Sequence, residues 1–362
     1  MELDLNGAIR LLQGDAQLCE DELRLDLEGC VLRLRSNSPE LVARLRKYFA
    51  HVAGAAGDPT IDVIAIEREP VESGLPFKDW KREPGKTGRK DAYFDFPGGR
   101  LVLKVRTGML FLQSGSARIA AGPCLQYDNQ VINFINAQYM NWLQNREWLI
   151  CHAAGMVHNG RGFGIAGFSG GGKSTLMLHL MDHAEVKYLT NDRLFVKRID
   201  SQIIARGIPK LPRVNPGTIV HNPALHSLIP PAQREALLQL PAEKLWELEE
   251  KYDVDVEQTY GKGRIVQEAP LSAFLVLNWQ RDGSDPLAVN PVDLGPRREL
   301  LGAIMKSPGP FYQYPDGSFY QDDTPFDEEA YLDIFQDITV YEVTGRVDFE
   351  GLTRFCLERL LS

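Results

Sequence analysis

The 362-residue sequence predicts a two-domain α/β protein: a β-rich α+β domain over residues 1–128, then an α/β core over residues 129–362 built around a glycine-rich loop. Three observations carry this expectation. The length exceeds what a single hydrophobic core usually supports. Residues 20–115 are dominated by short runs in which apolar and polar side chains alternate, the period of a half-buried strand. The stretch GIAGFSGGGKST, at 164–175, lies between an apolar strand-like run and a run of helical composition.

In the first domain, 23–27 (LRLDL), 30–35 (CVLRLR), 60–66 (TIDVIAI) and 101–105 (LVLKV) read as strands, and 39–50 (PELVARLRKYFA) has helical spacing. Segment 78–90 holds Lys78, Lys81, Arg82, Lys86, Arg89 and Lys90 with little apolar content, which fits a solvated loop or a contact surface for an acidic partner. A helix is expected at 129–147, capped by Asp128, with Val131, Ile135, Trp142 and Leu143 recurring on one face. Two strand-like runs follow, 148–158 and 162–166, joined by the turn-forming Asn159-Gly160 pair. After the glycine-rich loop come a helix at 173–183 and a strand at 186–190. Residues 194–199 and 202–206 form a hairpin about Asp200-Ser201. Further on, 231–254 is mostly helical, 273–279 (AFLVLNW) is a buried strand, and 349–361 is a terminal amphipathic helix.

Hydrophobic residues at 44% and charged ones at 25% are ordinary for a globular protein. A net charge of -9 argues against a protein whose main task is gripping nucleic acid, which needs a clustered positive surface. No apolar run approaches the ~20 residues that span a bilayer, and the first residues lack the basic start and apolar block of a signal peptide. The expectation is therefore a cytoplasmic protein with no nucleic-acid or membrane partner. The five cysteines are scattered and never form C-x-x-C, so they read as buried thiols, not as a disulfide framework or zinc site.

Gly167, Phe168, Ser169, Gly170, Gly171, Gly172, Lys173 and Ser174 match G-x-x-x-x-G-K-[ST] at every position. The residue types follow from the chemistry. Successive backbone N–H groups must turn inward around phosphate oxygens, which demands dihedrals and close approach that glycine tolerates. The helix from Lys173 adds its positive dipole end. Lys173 puts a point charge on the β- and γ-phosphates, the Ser174 hydroxyl is placed to ligate Mg2+, and Thr175 completes the binding stretch. ATP with Mg2+ is the expected donor; ADP and pyrophosphate stay open. Neither N-K-x-D nor L-S-G-G-Q occurs, which disfavours a small GTPase or a transporter ATPase. Asp192, 18 residues after Ser174, ends the next strand, where a second metal ligand belongs.

For charge developing in a transition state, the basic candidates are Arg206, Lys210 and Arg213 in ARGIPKLPR, and Lys262 and Arg264 in YGKGR. Asp322-Asp323 with Asp327, Glu328 and Glu329 reads as solvated turn and helix in preference to a second metal site.

Three stretches in order, LICHAAG at 149–155, the loop itself, and YLTNDRLFV at 188–196, together with Arg206-Gly207-Ile208, resemble the HPr kinase/phosphorylase family. That family's core is similar to the ATP-dependent phosphoenolpyruvate carboxykinases, and the likeness is nearest to the B-type HprK-related kinases. It covers roughly residues 148–216, with an echo at 339–349. The resemblance implies a P-loop kinase core of the HPr kinase/PEP carboxykinase type. It further implies transfer of the γ-phosphoryl of ATP to a hydroxyl on a protein Ser/Thr or a small molecule, a catalytic place for His152, and assembly into homo-oligomers. A histidine beside Cys151 in an apolar strand also fits a plain core position.

Two residues depart from the pattern. Asn191 stands where bifunctional members carry the first of two acids, the general base, so Asp192 must combine metal binding with base duty or His152 must serve. Phosphorolysis is the activity this departure weakens. Thr175 replaces the glutamate that commonly follows G-K-S, which weakens the fit to HPr itself as substrate. Two rival functions follow: a nucleotide-binding regulator without catalysis, and a carboxykinase-like enzyme acting on a small acid.

Overall fold

A computed structural model describes residues 3–82, 88–168, 170–248, 250–281 and 283–360. The chain divides into two units, one comprising Met1–Glu147 with Ser307–Pro325 and the other Trp148–Lys306 with Phe326–Ser362.

The first unit opens with α1 (Leu5–Gln13), whose N-terminus is closed by the Asp4 carboxylate accepting from Gly7 N–H at 2.7 Å. Next come β1 (Glu22–Asp26), β2 (Val31–Ser36), α2 (Pro39–Tyr48) and β3 (Ile61–Glu67). After these run β4 (Lys78–Asp79), β5 (Asp91–Phe96), β6 (Gly99–Lys104), β7 (Leu110–Gln113), β8 (Arg118–Gly122) and α3 (Asp128–Gln144). Among the described residues these strands form one sheet in the order β1-β2-β3-β8-β7-β6-β5-β4, parallel at β2–β3 and β3–β8. The alternation in the sequence does what it promises: Leu23, Leu25, Leu32 and Leu34 all point inward and are buried.

Three expectations change here. Asp128 is the first helical residue of α3, and Tyr127 holds the cap position without a side-chain bond. Because α3 packs within the first unit and 307–325 return to it, the border falls at 147/148, one helix later than the 128/129 read from sequence. The basic segment 78–90 is partly sheet: Lys78 and Asp79 pair with β5, and Arg89 Nε donates to Asp79 at 2.7 Å. Residues 83–87, with Lys86, lie outside the described residues.

The second unit runs β9 (Leu149–Cys151), β10 (Ala153–His158), β11 (Arg161–Gly167), α4 (Lys173–Met181), β12 (Lys187–Thr190), β13 (Leu194–Ile199) and β14 (Gln202–Arg206). It continues through β15 (Arg213–Val214), α5 (Pro216–His221), α6 (Pro231–Leu238), α7 (Ala242–Glu247), β16 (Tyr252–Asp253) and α8 (Val256–Tyr260). It ends with β17 (Glu268–Leu277), β18 (Ala288–Pro291), α9 (Leu301–Ile304), α10 (Glu328–Phe335), β19 (Thr339–Thr344) and α11 (Phe349–Phe355). The architecture is mixed α/β with several sheets.

β17 organises this unit. Its first residues pair antiparallel with β14, which leads on to β13 and β9. Its remainder runs parallel to β11 on one side and to β19 on the other. Alternate residues feed opposite layers: Leu275 and Leu277 join Leu176, Leu180 and Leu352 under α4 and α11. Phe274 and Val276 join Leu301, Ile304 and Phe335 beneath α9 and α10.

The run 148–158 is not one strand. It breaks at His152, whose N–H donates to Ile304 O at 2.7 Å, so that β9 serves β13 while β10 serves β11 and β12. The stretch 231–254 is likewise interrupted. Pro241 sits at the cap of α7, where a missing N–H is tolerated, and the chain turns extended at β16.

Candidate functional site at the end of the parallel strands

Parallel strands β11, β17 and β19 end on one edge of the sheet, the place where α/β sheets collect ligands. β11 stops at Gly167, paired with Leu277, and the loop 168–172 leads into α4. Gly172 caps that helix with φ 87° and ψ 15°, a left-handed conformation open to glycine, and a Cβ there would sit 2.6 Å from the Phe349 ring. A glycine cap offers no side-chain oxygen, so the first-turn N–H groups of α4 have no side-chain partner at the cap. The Lys173 ammonium folds back and donates to Gly167 O at 3.1 Å. Ser174 is half-buried in the first turn. Thr175 faces elsewhere: its hydroxyl lies 3.0 Å from that of Thr218 on α5. Phe168 is 41% exposed, and Ser169 lies outside the described residues.

Strand register brings the next groups to the same edge. Ala153 pairs with Ala166 and Gly155 with Thr190, so His152 and the pair Asn191-Asp192 emerge beside the loop. His152 Nε2 is 3.0 Å from Asp192 Oδ1, and Arg193 bonds both the other carboxylate oxygen and the carbonyl of Asp192. The Thr190 hydroxyl closes this turn by donating to Arg193 O at 3.0 Å.

Burial and charge oppose one another here. Burial pushes the His152 imidazolium down, Lys173 and Lys306 push it further, and the bond to Asp192 pulls the other way; the outcome is a lowered pKa and a neutral ring at pH 7. For Asp192, burial alone would raise the pKa, but Arg193, His152 and Lys306 outweigh it and hold the carboxylate ionised. Asn191 Oδ1 is buried with no hydrogen-bond partner among the described residues.

Lys210 reaches this edge through a close backbone crossing. Gly207 passes so near β12 that a Cβ would lie 2.0 Å from Leu189 O, and the Tyr188 hydroxyl donates to Lys210 O at 2.6 Å. Burial, then the neighbouring Arg193 and Arg213, bring the Lys210 ammonium down to about 8, with Asp192 opposing them.

The other basic candidates, apart from Lys262, are engaged with partners of their own. Arg206 Nε donates to Glu268 at 3.0 Å and its guanidinium stacks on Trp148 at 4.6 Å. Arg213 pairs with Asp253 at 3.1 Å, and Lys262 is exposed on a glycine turn. Arg264 is buried and donates to the carbonyls of Val186, Tyr260, Met181 and His183, at 2.7–2.9 Å. It holds the end of α4 to the start of β12 and is part of the scaffold.

Two cations escaped the sequence reading. Arg193 is adjacent to Asp192 and was signalled by that adjacency alone. Lys306 had no local signal; the antiparallel bridge of Met305 to Cys151 brings it in across the ladder, close enough for its charge to act on His152 and Asp192. Among the described residues, no group of three or more His, Cys, Asp or Glu is set to hold a metal. Asp327 caps α10 through Ala330 N–H at 3.2 Å, as a helix-and-turn reading of that acidic stretch requires. Cys30, Cys124, Cys151 and Cys356 are buried free thiols, while Cys19 is partly exposed.

No family model matches the sequence, and no curated protein matches it. Solved structures do match, among them the Hpr(Ser) kinase/phosphatase from Coxiella burnetii, with a TM-score of 0.29 and 14% identity, covering 59% of this chain and 87% of that one. No helix among the described residues is long and apolar enough to cross a membrane.

Proposed function

We propose that this protein is a nucleotide-dependent phosphotransferase that moves the γ-phosphoryl of ATP, with Mg2+, to a hydroxyl of a protein Ser/Thr or a small molecule. The observation that carries the reading is one juxtaposition: a glycine-capped helix N-terminus with Lys173 folded over its loop, on the same sheet edge as the His152–Asp192 pair.

Ser174 and Asp192 offer oxygen donors that fit magnesium, an ion usually held by one or two protein oxygens together with phosphates and water. Bound there, Mg2+ supplies neutralisation of the β- and γ-phosphate charge. The chain's own groups do the rest. Lys173 exchanges Gly167 O for phosphate oxygen, and the first-turn N–H groups of α4 hold the others. Lys210 and Arg193 add positive charge where the transferred group would lie. His152, neutral and donating from Nε2 to Asp192, keeps its second ring nitrogen as a proton acceptor for the attacking hydroxyl, a task Asn191 cannot perform.

The same Asn191 favours a second reading, a nucleotide-binding regulator that transfers nothing. Incubation with γ-labelled ATP and host-cell extract separates the two. Label on an acceptor with wild type, lost in Lys173→Ala at unchanged unfolding temperature, supports transfer. Undiminished labelling by Lys173→Ala would sink the assignment, and nucleotide binding without any label makes the protein a regulator.

A further inference from the structure

Two side chains beyond the end of β17 hold backbone carbonyls of the glycine-rich loop. Trp279 Nε1 donates to Gly171 O at 2.9 Å, and Arg281 Nη2 donates to Gly170 O at 2.9 Å. In a trans peptide the carbonyl and the following N–H point in opposite directions. Holding Gly171 O therefore turns the Gly172 N–H away from Trp279, and holding Gly170 O aims the Gly171 N–H toward Phe168 O, which it meets at 2.9 Å.

The segment bearing these side chains is itself anchored. Asn278 N–H donates to Val343 O at 2.9 Å and Gln280 N–H to Gly345 O at 2.8 Å, tying it to β19. The Trp279 ring rests edge-on against Phe349 at 5.1 Å between centroids, and Phe349 in turn packs on Gly172.

We propose that Trp279 and Arg281 are positioning residues for the loop: Trp279, by fixing Gly171 O, presets the Gly172 N–H that receives a phosphate of the nucleotide, and Arg281, by fixing Gly170 O, holds closed the Gly171–Phe168 turn on which that N–H sits. The inference rests on the loop binding a polyphosphate and goes beyond it in naming what orients that loop. Neither residue belongs to the G-x-x-x-x-G-K-[ST] stretch, and they lie more than a hundred positions away from it.

The test is calorimetric titration of the full chain with MgATP. Trp279→Phe keeps a ring against Phe349 and removes the N–H; Arg281→Ala is an exposed change that leaves the aromatic packing intact. Each is expected to weaken MgATP binding about 3- to 10-fold, the range of one net hydrogen bond, with the unfolding temperature of the nucleotide-free protein unchanged. Trp279→Phe also removes the MgATP-induced change in tryptophan emission although the other four of the five tryptophans remain. Wild-type affinity in both variants overturns the proposal, as does a loss in Trp279→Phe that tracks lowered unfolding temperature while Arg281→Ala binds normally. Should Trp279→Phe fail to fold, Arg281→Ala decides alone. A wild-type protein that does not bind MgATP is a different failure: it removes the phosphate-loop reading and this inference with it.

Discussion

Arg264→Met removes a guanidinium that donates to four carbonyl oxygens, Val186, Tyr260, Met181 and His183, from a position 9% exposed. At roughly 1 kcal/mol per net hydrogen bond the sum is about 4 kcal/mol, and a buried methionine returns little of it because the carbonyls lose their charged donor, although His183 O keeps the Val186 N–H at 3.1 Å. The expected loss in unfolding free energy is therefore about 3–5 kcal/mol, measured by urea unfolding followed by circular dichroism. Arg264→Lys should recover only a part, since one ammonium cannot serve carbonyls arriving from the helix end, the following turn and α8 together. MgATP affinity measured where the variant is still folded should stay near that of wild type. A loss below 1 kcal/mol combined with collapsed MgATP binding would refute this reasoning and move Arg264 from the scaffold to the candidate site.

Gly207→Ala puts a Cβ 2.0 Å from Leu189 O and 2.8 Å from its carbonyl carbon, so backbone must move; a loss of about 1–3 kcal/mol is expected from the same urea titration, together with a displaced Lys210 segment. Lys210 gives a pH signature. The unfolded lysine titrates near 10.5 and the folded one near 8, so the unfolded chain takes the proton first. Its contribution to stability is full above the unfolded value, is lost as pH falls toward 8, and is constant below that. Lys210→Met should accordingly flatten the stability profile between pH 8 and 10.5, and a difference profile without slope in that window would contradict the burial assigned to Lys210.

The local parts of this fold were legible because local rules decide them. The β10–β11 hairpin rests on Asn159-Gly160, with Asn159 at φ 48° and Gly160 at φ 76°, and α4 follows from a glycine cap and an apolar run. The first-unit strands announced themselves through alternation at Leu23, Leu25, Leu32 and Leu34. What escaped depends on pairing at long sequence separation. Nothing near His152 says that Ile304 will take its N–H and split one strand into two that serve different neighbours. Nothing in YGKGR says that Arg264 turns inward to the end of α4, because flanking glycines look the same beside an exposed charge and a buried one. The candidate site shows the same division. Lys173 and Ser174 are visible in a contiguous motif, the hold of Glu268 and Trp148 on Arg206 is not visible near it in the sequence, and Lys306 becomes visible only through its neighbour across the ladder.

β17 has a consequence for how this chain comes off the ribosome. β11 is complete at Gly167, but the strand that pairs along its open side ends at Leu277, 110 residues later. At ~5–20 residues per second, the nascent hairpin of β10 and β11 therefore waits roughly 5–20 s with an unsatisfied apolar edge. The glycine-rich loop hangs from that same edge, so it gains its lasting shape only after synthesis has passed Arg281 and then β19. Shortened versions of the protein made to study the loop need to extend through Thr344; those that stop before Glu268 leave an edge that recruits other chains.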